Sequence, residues 1–161
     1  MGKFSSNLFT LNTFYTANKR IVGSSDIPKD AEAFLILFWR CVADNIVQWK
    51  ELTNREISKV DLRENYIVTQ GVVIQALGLI GLFFYKNRDV DMRKNLELLG
   101  NIDWKRNSSQ WKLRVIRADG KIITSNKAIN LTANKIKQEI GIALSSEEAT
   151  KEKQFLDSTK L

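Results

Sequence analysis

The sequence predicts a mostly α-helical fold, a single compact multi-helix domain with a basic helical pair near its C-terminal end. Three observations carry this. One proline and eight glycines in 161 residues leave few breakers, which favours helices over a turn-rich β fold. Apolar residues recur with a 3.6-residue period in several long stretches, and capping residues stand at the ends of those stretches. The domain is expected over residues 1–148, with residues 149–161 as a charged, flexible tail.

The first helix is expected from Thr10 to Ile21, with Phe9, Leu11, Phe14, Tyr15, Ile21 and Val22 on one face and Gly23 as its C-terminal cap. A loop, "GSSDIPKD", leads to a long second helix from Pro28 to Leu52. Its stripe runs through Phe34, Leu35, Phe38, Cys41, Val42, Ile46 and Trp49, so Cys41 reads as a buried, inert thiol. "TNREISKVDLREN" reads as a polar connection. Residues 66–85 then carry no charge and reach the length of a bilayer span. Gln70, Gln75 and three glycines in that stretch favour a buried central helix, closely approached by its neighbours, over a membrane span. A short helix over Met92–Leu99 ends at Gly100. Two further helices are expected at Ser109–Ala118 and Asn126–Ile140, capped by Ser108 or Asn107 and by Thr124 or Ser125. Ser145 and Glu148 have the spacing of a capping box at the head of a frayed, charged helix.

Composition excludes several kinds of chemistry. Histidine is absent and Cys41 is the single cysteine, so Ser-His and Cys-His triads, imidazole metal ligands and intrachain disulfides are ruled out. The chain has no phosphate-cradling loop and no dinucleotide fingerprint. Asp61 with Glu64, and Asp89 with Asp91, read as solvated helix ends rather than metal ligands. An enzyme, a cofactor and a metal are therefore not expected. Met1-Gly2 with Ser6 is a loose match to the myristoylation pattern.

Charge placement is the strongest functional signal. The net charge is +7, and residues 104–141 hold nine basic residues against Asp119 and Glu139 alone. The rest of the chain is balanced, so the entire excess lies in this segment. The expected DNA-contacting residues are Lys105, Arg106, Lys112, Arg114, Arg117, Lys121, Lys127, Asn134, Lys135 and Lys137. Lysine and arginine neutralise phosphates, and asparagine can read a base edge. Trp104 and Trp111, interleaved with these cations, can either stack on unpaired bases or anchor a core. "TANK" occurs at 16–19 and again at 132–135. The flanks do not align, so the first copy reads as structural and the second, with Asn134 and Lys135 toward solvent, as part of the basic surface.

Five strings, "LFTLNTFYTANKRIVG", "FWRCVADNIVQW", "DLRENYIVTQGVVIQALGLIG", "IDWKRNSSQWKLRVI" and "LTANKIKQEIGIAL", resemble in order and spacing the C-terminal half of the DNA sulfur-modification protein DndB. The resemblance implies a bacterial, cytoplasmic regulator that binds DNA and represses genes for DNA phosphorothioation, with no sulfur transfer of its own. It also implies a truncated or split member, because the N-terminal DGQHR-type half has no counterpart here. The partners it suggests are DNA and a DGQHR-domain polypeptide or another DNA-modification protein, with no membrane. Docking of such a polypeptide is the alternative function for the helical module.

Overall fold

The structure is a computed structural model that describes residues 8–160. The Met1-Gly2-Ser6 pattern lies outside the described residues. Among those residues there are eight α-helices, with three short 3-10 turns and only isolated β-bridges. The mostly α reading holds.

Helix α1 spans Leu11–Val22 between an N-cap at Thr10, whose hydroxyl accepts the Thr13 N–H, and a left-handed Gly23. Its buried stripe is narrower than expected. Ala17 and Ile21 are buried, whereas Leu11 is 88% exposed. Asn18 accepts a hydrogen bond from Trp39 Nε1 at 2.7 Å, consistent with a structural first "TANK".

The long second helix is interrupted. Lys29–Ala31 is a 3-10 turn, α2 spans Glu32–Asn45 and α3 spans Val47–Thr53. Ile46 between them is extended and fully buried. Asn45 turns its amide back onto the Cys41 carbonyl at 2.8 Å, a local bond that closes α2. The break also lets Trp49 Nε1 reach the Val68 carbonyl. Cys41 is buried, and burial pushes its thiol up. Arg93 and Arg40 oppose that shift, while Asp44 adds to it. The stretch expected as a polar connection contains α4, Lys59–Asn65, capped by Ser58.

Helix α5, Gly71–Lys86, is the buried centre of the domain and packs against α1 and α7. No helix among the described residues is long and apolar enough to cross a membrane. Tyr66–Gln70, expected as its first turn, runs outside the helix, and the Ile67 N–H donates to the Trp104 carbonyl. Gln75 is satisfied inside α5. Its oxygen accepts from Arg20 Nε at 2.7 Å and its amide donates to the Thr13 carbonyl at 2.9 Å.

The glycines let α1 sit close. A β-carbon at Gly81 would lie 2.6 Å from Ile21 Cγ1 and 3.1 Å from Phe38 Cε1. Gly81→Ala is expected to destabilise the chain by about 1–3 kcal/mol through overpacking, even though alanine is the better helix former by about 1 kcal/mol. Chemical denaturation measures this. A Gly81→Ala chain as stable as the parent would show that α1 is not seated on α5 in this way.

Helix α6 spans Met92–Glu97, with Asp91 as its N-cap, and runs into a 3-10 turn over Leu98–Asn101. The helix expected over Ser109–Ala118 does not form, and with it the basic helical pair is lost. Ser109–Trp111 is a single 3-10 turn, and Leu113 adopts a left-handed φ of 61° that stops any helix. The Trp111 carbonyl instead accepts the N–H groups of Arg114, Val115 and Ile116. The chain then doubles back through Asp119-Gly120, with Arg117 N–H on the Lys121 carbonyl and Ile123 N–H on the Val115 carbonyl. β-Branched pairs on either side of Asp-Gly are the signal of a hairpin, and here they bury Val115 and Ile116.

Helix α7, Asn126–Glu139, starts at an N-cap Ser125 and ends before a left-handed Gly141. Helix α8, Ser146–Thr159, opens with the capping box of Ser145 and Glu148. Residues 149–159, expected as a flexible tail, fall within α8, which packs on α7 and buries Glu152 and Phe155.

Candidate nucleic-acid interface

The cations of residues 104–141 divide into three groups. In the first, backbone pairing fixes Lys105 and Arg106 beside the end of α4. Lys105 bridges Tyr66, and the Arg106 N–H donates to the Asn65 carbonyl at 2.8 Å. These residues line a cleft of about 830 Å³ with Asp61, Glu64, Tyr66 and Asn107. Asp61 is held by the Ser58 hydroxyl at 2.6 Å. The Arg106 guanidinium spends donors on the Arg63 and Gly120 carbonyls, at 3.3 and 3.2 Å, and so clips the Asp-Gly turn to α4.

The second group is exposed. Lys112, Lys121 and Lys127 face solvent, as Lys105 of the first group also does, and among the described residues the ammonium groups of these four meet no carboxylate within ion-pair range. Arg117 is also exposed and holds Asp119 at 3.2 Å in a surface pair of small energetic value. Lys112 follows the 3-10 turn, Lys121 follows the Asp-Gly turn, and Lys127 lies in the first turn of α7. A lysine there opposes the helix dipole, so it adds nothing to the stability of α7 while reinforcing the attraction of that end for anions.

The third group contradicts the expectation of exposure. Arg114 is 4% exposed, Asn134 2% and Lys137 7%. Arg114 makes a bidentate pair with Glu152 at 2.9 and 2.5 Å and donates to the Leu131 carbonyl. Its guanidinium also lies 4.5 Å from the Phe155 ring centre. Asn134 donates to the Glu148 carbonyl, and Lys137 pairs with the Glu148 carboxylate at 2.6 Å. Burial pushes the Glu148 carboxyl up, but the hydrogen bond and charge of Lys137 and the Ser145 donors outweigh it and hold the group below its ordinary 4.5. Its contribution to stability is therefore present above that value and lost as pH falls through the lower folded value. Lys135 is partly exposed and paired with Glu139 at 2.5 Å along α7. The second "TANK" thus resembles the first in function, since its asparagine also ties elements together.

Trp104 and Trp111 are not available to bases. They stack on each other at 5.5 Å and 8°, are buried, and donate to the Leu99 and Asp103 carbonyls. Sequence reasoning missed Glu148 and Glu152 as partners of the basic segment, and their only signal was the capping-box spacing at Ser145.

A family model described as "DndB: DNA-sulfur modification-associated" matches residues 1–143. No curated protein and no solved structure matches the chain.

Proposed function

The chain belongs to the DndB family, associated with DNA sulfur modification, and from that premise we propose that it is a DNA-binding regulatory protein of that system rather than an enzyme. Its partner is the phosphate backbone of DNA in the cytoplasm. The contacts come from Lys105, Lys112, Arg117, Lys121 and Lys127. One observation carries the reading, the four exposed lysines of residues 105–127 that have no carboxylate partner among the described residues. Uncompensated cations on connecting segments and at a helix N-terminus suit phosphate contacts, which set position and affinity without reading sequence.

Five phosphate contacts give a slope of log K against log salt of about −4.5 on duplex DNA, at −0.9 for each. The triple replacement of Lys112, Lys121 and Lys127 by alanine is expected to shallow that slope by about 2.7. Titration of DNA at several salt concentrations measures both. A flat slope, or no binding by folded protein, would remove the proposal. Unchanged DNA binding in the triple variant, with loss of an acidic DNA-modification protein instead, would favour a protein-docking module.

A further inference from the structure

The residues that sequence analysis assigns to DNA and the structure buries are not scattered. Arg114, Asn134 and Lys137 are all covered by α8: the Glu152 carboxylate and the Phe155 ring meet Arg114, the Glu148 carboxylate meets Lys137, and the Glu148 backbone carbonyl accepts from Asn134. The family model ends at residue 143. The three covered residues lie inside the matched region, and the two glutamates lie outside it.

We infer that Arg114, Asn134 and Lys137 form a second phosphate-binding surface, and that α8 is an acidic strap occupying it until DNA displaces the strap. This rests on the DNA-binding reading above. The chemistry of exchange is conservative. A carboxylate holding a guanidinium by two parallel hydrogen bonds is replaced by a phosphate, which accepts the same fork. The Glu148 carboxylate on Lys137 is replaced in the same way by a second phosphate, and Asn134 exchanges the Glu148 backbone carbonyl for a phosphate oxygen.

The closed state is weakly enough held to open. Of the 14 residues of α8 only Glu152 and Phe155 are buried, and a helix of that length has little stability of its own in water. Docking also leaves the Arg114 Nε–H buried without an acceptor, an uncompensated cost. Opening returns Glu148 and Glu152 to water and exposes Arg114 and Lys137 to an incoming strand. These ion pairs weaken as salt screens them.

The test compares the full chain with its Glu148→Ala/Glu152→Ala variant on one duplex across salt concentrations. It also follows amide exchange of α8 in the parent with and without DNA. If the strap is released in a tenth of the chains or fewer, the variant binds ~10-fold tighter or more. Its salt slope stays close to the parent's, because the bound parent has opened the strap and holds the same phosphates. In the parent, DNA abolishes exchange protection in α8 while α5 stays protected. Equal affinity in both chains, with α8 still protected on DNA, would overturn the strap and leave the DNA reading intact. Binding by neither chain would overturn the DNA reading and the strap together. Should the variant not fold, as judged by α5 protection, exchange in the parent decides alone.

Discussion

Truncating Trp111 to alanine is expected to destabilise the protein by about 3–5 kcal/mol, the range for emptying a buried aromatic site. Trp111 is fully buried and stacks almost parallel on Trp104, which then loses its packing partner. Its Nε1–H on the Asp103 carbonyl, at 2.7 Å, fixes the start of the loop. The Trp111 backbone carbonyl collects three N–H groups from Arg114, Val115 and Ile116, so the ring position sets the turn that carries Lys112 and leads to Lys121. The loss therefore extends from the core to the exposed lysines, and under the proposed DNA-binding role DNA affinity is expected to fall along with stability. Trp111→Phe keeps part of the ring packing and is expected to recover a portion of both. Urea denaturation followed by tryptophan fluorescence measures the first effect, and DNA titration of the folded fraction the second. A loss below about 1 kcal/mol would show that the tryptophan pair does not organise this loop.

The same loop shows where sequence reading reaches its limit. Several local signals were legible where one residue does a local job. Thr10 and Gly23 bound α1, Ser125 starts α7, and Ser145 with Glu148 opens α8. The burial of α5 was legible from its missing charges. Residues 109–118 read as a helix because their apolar spacing tolerates that period, but Asp119-Gly120 between β-branched pairs turns the chain back and Leu113 takes a left-handed conformation. Ile46 breaks a 3.6-periodic stripe without any glycine or proline, because tertiary packing and the Asn45 side chain overrule a continuous pattern.

The candidate site was legible as a charge excess but not as a surface. Lys112, Lys121 and Lys127 are where the charge argument puts them, exposed and unpaired among the described residues. Arg114 is not, because its partner Glu152 stands 38 residues along the chain. A run of basic residues shows how much charge must be accommodated. It cannot show which charges a distant carboxylate takes.

Arg114 provides the second large effect. Removing one partner of a buried ion pair costs about 3–5 kcal/mol when the other partner is left buried. In Arg114→Ala, Glu152 would face that cost and the Leu131 carbonyl would lose a donor. The molecule has a cheaper response, because undocking α8 rehydrates Glu152 and gives up mainly the burial of Phe155. The loss is thus bounded by the free energy with which α8 docks, and its expected form is local. Amide protection across Ser146–Thr159 disappears in Arg114→Ala, while α5 and α7 keep theirs. A paired replacement, Arg114→Met with Glu152→Leu, is expected to restore docking, because apolar residues of similar volume often equal or exceed a buried ion pair. Hydrogen exchange of the parent and both variants separates the cases. Loss of α5 protection in Arg114→Ala would mean that the pair holds the core rather than the strap. Failure of the paired replacement to restore α8 would mean that charge, not packing, fixes the helix in place.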